Sequence, residues 1–484
     1  MGSNGERPLR VDARDVASWD AEADVVVVGY GCAGVCAALE ARAEGGDVLV
    51  LERASGPGGT SINSGGFLYC GGGTALQKAL GYEDSVENMA AYMLAACGPE
   101  PDAALIEAYC EGSVAHFDWI VDQGVPYKAS FFPGAHEPFH SDDGLVYSGS
   151  ELAWPFNALA TPAPRGHAPQ TIRDKGALLM NTLIASAERA GVRTAFGARV
   201  ESLVQASDGR VVGAIAHTVE GRRRVRARKG LVLTAGGFIY NEEMVRRYAP
   251  LLQACRYKVG TETDDGSGIR LGLAVGGEAI RMETGDVSLA IFPPNDLRFG
   301  LCVNAQGQRF LNEDVYFGRL GEVALLHQSG RVYLLVDDEH FGRPENFPVE
   351  IAAVGETIEE VETELGMPAG ALVQTVSFYN AHAARGEDPL FHKGADWLTP
   401  ITKPPFGVID LTTENMVYSA FTLGGLWIDP HARVRAGTAE PIPGLYAAGR
   451  TTSGVAKQGY SSGMSLGDGS FFGRAAGRHA MRGR

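Results

Sequence analysis

Five residues, Asp24-Val25-Val26-Val27-Val28, run directly into Gly29-Tyr30-Gly31-Cys32-Ala33-Gly34. This junction limits the possible folds more than any other part of the chain. The valine run is short, β-branched and apolar throughout, as expected of a strand buried on both faces in a parallel sheet. Val35 to Ala43 is rich in Ala and Leu and has a helical pattern, and Asp47 to Leu51 is a second buried strand ending at Glu52. Strand, GxGxxG turn, helix, strand and terminal acid together make a dinucleotide-binding βαβ unit. Gly29 allows the tight turn, Gly31 lets backbone approach a pyrophosphate, and Gly34 lets helix and strand pack closely. Cys32 and Ala33 open the helix, where free N–H groups and the positive end of the helix dipole attract phosphate. Glu52 is placed to accept ribose hydroxyls, with Arg53 beside it.

The chain has 484 residues, enough for two or three packed units. Its formal net charge of −16 argues against a nucleic-acid partner. The one basic run, Gly221 to Arg228, is expected to be an exposed hairpin. Seven Cys, an odd number with no CxxC pair, predict reduced thiols and a cytoplasmic protein. No apolar leader begins the chain and no run of 18 apolar residues occurs, so neither a secretory signal nor a transmembrane segment is expected. No repeat or low-complexity tract is present.

A second Gly-rich segment follows Glu52: Gly56-Pro57-Gly58-Gly59-Thr60-Ser61, then Ser64-Gly65-Gly66. Leu231 to Phe238 is a strand running into Ala235-Gly236-Gly237. Thr263-Asp264-Asp265-Gly266-Ser267-Gly268 comes next, and Gly444-Leu445-Tyr446-Ala447-Ala448-Gly449-Arg450 and Gly463-Met464-Ser465-Leu466-Gly467 lie near the C-terminus. In these segments the chain resembles the fumarate reductase/succinate dehydrogenase flavoprotein superfamily, from about residue 23 to the C-terminus. The resemblance implies FAD as cofactor. It also implies that the Gly59 to Gly66 loop wraps the pyrophosphate and flavin edge, with Thr60, Ser61 and Ser64 supplying hydroxyls. Ala235, Gly236, Asp265, Gly449, Arg450, Ser465 and Leu466 complete the implied cofactor site. No second complete GxGxxG unit occurs, so no separate nicotinamide domain is expected.

The family fold is α/β, a Rossmann-like FAD-binding domain interrupted by an α+β catalytic or capping domain. Here the implied division is 1–283, FAD-binding; 284–400, cap; and 401–484, the return to the FAD-binding domain. Pro293-Pro294, Pro344 and Pro404-Pro405 punctuate the middle part. The loop-rich stretch from Ser130 to Gln170 is a candidate cover for the site.

Three places depart from the fumarate reductases. Arg309-Phe310-Leu311-Asn312-Glu313 is intact, but Phe317 stands where the family's proton-donating Arg is expected, with Tyr316 beside it. Tyr460 falls near the place of a second substrate-binding Arg, and no His precedes Gly424-Gly425. A dicarboxylate needs cationic, bidentate partners. Their exchange for tyrosines and apolar groups points to a small apolar ketone, steroid-like, as substrate. The chain most resembles the FAD-dependent 3-ketosteroid Δ4-(5α)-dehydrogenases, with Tyr316 after RFxNE and Tyr460-Ser461-Ser462 near the C-terminus. The resemblance implies Tyr316, Tyr460 and Ser462 as catalytic residues. Tyr460 and the Gly463 N–H would hold the ketone oxygen, and Ser462 and Tyr316 would take the α-proton. An external electron acceptor would reoxidise the flavin, and steroid or lipid degradation is the implied setting.

The alternatives are a fumarate- or urocanate-type alkene reductase, a 3-ketosteroid Δ1-dehydrogenase, and an electron-transfer flavoprotein subunit. The missing Arg and His oppose the first. The Ser-Ser-Gly-Met-Ser after Tyr460 opposes the second. His136 and His140 are not expected to hold a metal. His167 is a candidate for contact with cofactor or substrate.

Overall fold

The computed structural model describes residues 9–135, 140–345 and 347–483. In chain order, its main sheet is built from β1 (Arg10–Asp12), β2 (Ala21–Val28), β3 (Val48–Leu51), β4 (Arg193–Ala195), β5 (Arg199–Gln205), β6 (Val211–Thr218) and β7 (Gly221–Leu233). Their order across the sheet is β1-β5-β6-β7-β2-β3-β4. β7, β2, β3 and β4 run parallel. The four valines of β2 therefore lie between two strands and under helices, and Val25 to Val27 are fully buried. α1 (Cys32–Ala43) starts one turn beyond β2 and is buried along most of its length. The basic run forms the β6–β7 hairpin as expected. Its arginines pair with acids of neighbouring segments, among them Arg224 with Asp20 and Arg228 with Asp24.

α2 (Val86–Ala96), α3 (Ala103–Asp122) and α4 (Lys175–Arg189) lie in the long insertion between β3 and β4. The Ser130 to Gln170 stretch is not a bare loop. It contributes Phe131–Ala135, Leu145–Tyr147 and Gly166–His167 to a four-stranded sheet with Leu68–Tyr69.

After α5 (Ser267–Ala274) comes β8 (Gly285–Ser288). A second layer follows: β9 (Leu301–Asn304), α6 (Phe317–Glu322), β10 (Val332–Val336), β11 (Ile351–Gly355), α7 (Ala371–Ala383) and β12 (Phe406–Asp410). The strand order is β9-β10-β12-β11, antiparallel throughout. This sheet packs on α7 around its own core, with Leu301, Val303, Leu335, Val376 and Val408 among its members. β12 lies past residue 400 yet is central in this sheet. The RFxNE segment braces the same layer from within. Arg309 bonds Glu313 at 2.8 Å and Asp388 at 3.0 Å, and Lys393 stands 3.2 Å from Glu313. The four side chains are buried, so each charge is paired inside the core.

The chain then returns. β13 (Ser419–Thr422) pairs with β8. β14 (Arg433–Arg435) and β15 (Pro441–Ala447) join the main sheet through β7, and α8 (Met464–Arg482) packs against α1. Gly473 and Gly477 make that close packing possible, because a Cβ on either would strike the α1 backbone.

Candidate active site

One cavity of about 790 Å³ runs from the end of β2 to the space between β8, β13 and the start of α6. At the β2 end its wall is glycine backbone. Gly29 has φ +103°, and a Cβ there would stand 2.5 Å from the Thr234 carbonyl oxygen. Gly34 does not reach the cavity wall. A Cβ on it would strike the Gly29 carbonyl, so it lets α1 sit against the turn. Gly31, Cys32 and Ala33 line the wall at the helix start, where the N-cap residue, Gly31, has no side chain to cap α1. Ser61 Oγ accepts the Cys32 N–H at 3.1 Å, which docks the second Gly-rich loop on the first. The buried Glu52 carboxylate accepts the Tyr30 and Ala54 N–H groups at 2.8 and 2.7 Å and faces the same cavity. These bonds hold both carboxylate oxygens in place.

Gly59, Thr60, Ser61, Ser64, Gly65 and Gly66 line the cavity, as do Ala235, Gly236, Gly449, Arg450, Ser465 and Leu466. Asp265 does not. It pairs with Arg53 at 2.7 Å and accepts the Ser267 N–H at 3.0 Å. Its neighbour Asp264 takes the inward place. Asp264 Oδ2 accepts from Thr60 Oγ1 at 2.6 Å and from Arg450 Nη2 at 3.0 Å, and Oδ1 accepts the Gly237 N–H at 3.2 Å. One buried carboxylate thus ties three separate Gly-rich segments together. Only the adjacent pair of acids signalled it in the sequence.

The other end of the cavity is lined by Phe67, Tyr257, Asp286, Ser288, Tyr316, Phe317, Phe347, Ser419, Phe421, Tyr460, Ser462 and Gly463. The Arg450 guanidinium lies over the Phe421 ring, 5.4 Å from its centre, and is paired with Asp264. Tyr460 packs edge-on against Phe421 at 5.3 Å between ring centres. Its phenolic oxygen accepts the Ser465 N–H at 3.1 Å. Ser465 is the second residue of α8, so the hydroxyl sits at the positive end of that helix. Gly463 caps α8 with φ +98° and no side-chain cap bond, and a Cβ there would stand 2.8 Å from the Tyr69 nitrogen.

The residues between Ser148 and Glu151 hold these groups from behind. Ser148 and Ser462 exchange two bonds: the Ser462 N–H donates to the Ser148 carbonyl, and Ser148 Oγ to the Ser462 carbonyl, both at 2.9 Å. Ser150 Oγ accepts the Tyr316 N–H at 3.0 Å. Tyr92 accepts the Ser150 N–H through its oxygen and bonds Ser461 Oγ, both at 2.9 Å. Glu151 is fully enclosed, and burial pushes its carboxyl up. No described residue of the Ser130 to Gln170 stretch lines the cavity, so this segment supports the site and does not cover it.

His167 is also away from the cavity. It packs on Phe117 at 4.3 Å, bonds the Arg165 carbonyl through Nδ1 and Thr74 through Nε2. His136 lies outside the described residues, and among those described no group of three His, Cys, Asp or Glu could hold a metal. No helix there is long and apolar enough to cross a membrane.

The glycine cradle, two helix starts with glycine at the N-cap and the long cavity suit a dinucleotide cofactor. A sequence profile described as "FAD binding domain" matches residues 24–466. The chain is 32% identical to a 3-oxo-5-alpha-steroid 4-dehydrogenase of Comamonas testosteroni, covering 91% of this chain and 95% of that one. It is 27% identical to a probable fumarate reductase of Shewanella frigidimarina, over 95% of this chain and 74% of that one. A crystal structure of 3-ketosteroid-delta4-(5alpha)-dehydrogenase from Rhodococcus jostii RHA1, in complex with 4-androstene-3,17-dione, superposes with a TM-score of 0.92. That protein is 46% identical, covering 97% of this chain and 99% of its own.

Proposed function

The chain belongs to the FAD-binding family of the fumarate reductases and ketosteroid dehydrogenases, and from that premise we propose that it desaturates a saturated 3-ketosteroid. It is an FAD-dependent oxidoreductase acting on a CH–CH bond. The proposed reaction introduces a C=C bond α,β to the ketone, converting a 5α-3-ketosteroid to the Δ4-3-ketosteroid.

The observation that carries this is the wall opposite the cofactor cradle. Tyrosine, phenylalanine and serine dominate it, with one acid, Asp286, and the Arg450 cation over Phe421 is already engaged by Asp264. A dicarboxylate such as fumarate would meet a like charge there, with the neighbouring Arg450 already paired to Asp264 and not set out as a bidentate partner. An apolar ring system with one ketone suits it.

FAD, when bound, supplies the two-electron acceptor for the hydride leaving the β-carbon. Gly29, Gly31, Cys32, Ala33, Glu52, Arg53, the Gly59 to Gly66 loop, Ala235, Gly236, Gly449, Arg450, Ser465 and Leu466 would hold it. Asp264 stands in place of Asp265 at the wall, and Gly34 packs beneath the turn. Tyr460 is the donor to the ketone oxygen. A phenol accepts and donates through the same oxygen, and here it accepts the Ser465 N–H. The Gly463 N–H at the start of α8 is the second donor, and both act on the charge that develops on oxygen as the α-proton leaves. Ser462 takes that proton, with Tyr316 behind it.

We also propose the division into 1–283, 284–400 and 401–484, with Phe406–Asp410 counted with the cap because it is central in that sheet. Seven cysteines that are all unpaired and buried support a reducing compartment, the cytoplasm. An external acceptor would reoxidise the enzyme.

The test is an anaerobic titration of the purified yellow protein with a saturated 5α-3-ketosteroid, followed at the visible flavin band. Bleaching at stoichiometric steroid, with Δ4-3-ketone formed, supports the proposal. A flavin that dithionite bleaches but the steroid does not would refute it.

A further inference from the structure

Taking a proton from the carbon beside a ketone requires a place to put it. Serine and tyrosine hydroxyls pass protons on at neutral pH. They do not keep them as bases, because an alkoxide or phenolate in an apolar wall is costly. A carboxylate at the end of the relay resolves this, and the cavity wall contains one.

Asp286 is 4% exposed and sits on β8. The β8–β13 register sets Asp286 opposite Phe421 and Ser288 opposite Ser419. These four share the face toward the cavity, while Val287 and Ala420 pair on the other face in the core. Gly318 of α6 lies beside both Asp286 and Tyr316. A Cβ built on it would collide with the Tyr316 ring and stand 3.1 Å from Asp286 Oδ1. Ring and carboxylate thus both approach one glycine, and a larger side chain there would displace the ring. Ser288 Oγ donates to Asp286 Oδ2 at 2.9 Å, which fixes the rotation of the carboxylate.

We propose that Asp286 is the terminal acceptor of the substrate's α-proton, acting through Tyr316. The inference rests on the ketone desaturation proposed above. The α-C–H bond breaks and leaves its electron pair on carbon as the enolate. The proton goes to Ser462 Oγ as Ser462 passes its own to the Tyr316 oxygen, and Tyr316 passes its own to Asp286. Bound FAD would supply the two-electron acceptor for the hydride from the β-carbon, and the enolate pair closes the C=C bond. Asp286 ends as the carboxylic acid. After product leaves, it returns the proton to solvent through the mouth, where Tyr257 is exposed.

Other ionisable groups around Asp286 are Cys255, Tyr316, Tyr460, Arg450 over the ring of the opposite Phe421 and, on α6, Arg319 and Glu322. Arg319 and Glu322 pair with each other at 2.7 Å. Burial pushes the Cys255 thiol up to about 12, with the Asp286 charge adding to it. Glu322 is the other buried carboxyl and serves as a control, because it is absent from the cavity wall.

The experiment measures the rate of anaerobic flavin bleaching by a saturated 3-ketosteroid across pH. It compares the wild type, D286N, D286E, Y316F, the Y316F/D286N double variant and E322Q, each with its flavin spectrum checked first. The wild type and E322Q are expected to slow together as pH falls. D286N should lose about 100-fold or more and with it that acid limb, while binding steroid within about threefold of the wild type. D286E should keep a displaced limb and recover most of the rate. The double variant should be no slower than the slower single one, since both cut one relay. D286N with the wild-type rate and limb, or a double variant whose losses multiply, overturns the assignment. A wild type that steroid does not bleach removes the desaturase proposal itself, and this inference with it.

Discussion

The Ser465 N–H donates to the phenolic oxygen of Tyr460 at 3.1 Å, joining the proposed ketone donor to the first turn of α8. A hydroxyl that accepts from a helix start is polarised toward donation. The same helix turn carries Ser465 and Leu466 into the cavity. Cofactor and ketone are therefore addressed by one short segment.

Tyr460→Phe removes that hydroxyl and leaves the ring against Phe421. The flavin should stay bound, and the bleaching rate with a saturated 3-ketosteroid should fall about 100-fold. Stopped-flow absorbance checks this. A rate within threefold of the wild type would show that Tyr460 does not activate the ketone.

Gly29→Ala places a methyl group 2.5 Å from the Thr234 carbonyl oxygen at φ +103°. Strain of about 1–3 kcal/mol and a shifted turn follow. The variant should purify with little or no flavin, seen as a collapse of the visible-to-280 nm absorbance ratio.

Asp264→Asn should weaken flavin binding far more than Asp265→Asn. The first leaves the Arg450 guanidinium, 16% exposed, without its anion. The second loosens an Arg53 pair that is a quarter to a third exposed and worth about 1 kcal/mol or less. Flavin release followed by fluorescence should separate the two by about tenfold or more.

Ser150→Ala takes away the acceptor of the buried Tyr316 N–H. The cost to folding should be about 1–3 kcal/mol. The bleaching rate should fall while the flavin spectrum stays normal, because Ser150 holds Tyr316 and lies outside the cavity wall. Denaturant unfolding and stopped-flow absorbance on one preparation give both quantities.

His167 sets an acid limit on stability. Burial lowers its pKa to about 4 from the ordinary 6.5. A carbonyl can only accept, so Nδ1 donates to Arg165 and Nε2 accepts from Thr74, which requires the neutral ring. The unfolded chain binds the proton first, so stability is present above pH 6.5 and is lost as pH falls toward 4. The loss is about 3 kcal/mol at most. Between pH 7 and 4.5, His167→Gln should lose less stability in chemical denaturation than the wild type does.

Much of the cofactor site was legible in the residues. Local backbone requirements write themselves locally: Gly29, Gly31 and Gly34 each answer a constraint within a few positions, and β2 announces its burial by four valines. Tyr316, Tyr460 and Ser462 were legible by resemblance, and the structure brings all three to one cavity wall. The sequence points to Asp265 where the structure turns Asp264 inward, because adjacent residues point opposite ways and the choice depends on Gly236 and Gly260 lying against the Asp264 carboxylate. His167 looked functional but is a packed core histidine.

The order of elements, the βαβ cofactor unit and the exchange of cations for tyrosines are properties of short segments, and sequence alone determined them. The support behind the site was decided only by tertiary structure. Ser148 meets Ser462 across 314 residues, and Arg450 meets Asp264 across 186. Asp286 reaches the cavity only through its register with Phe421 and through Gly318 leaving room beside Tyr316. Such pairings are enforced by burial and strand register between distant segments, so no local pattern of residues encodes them.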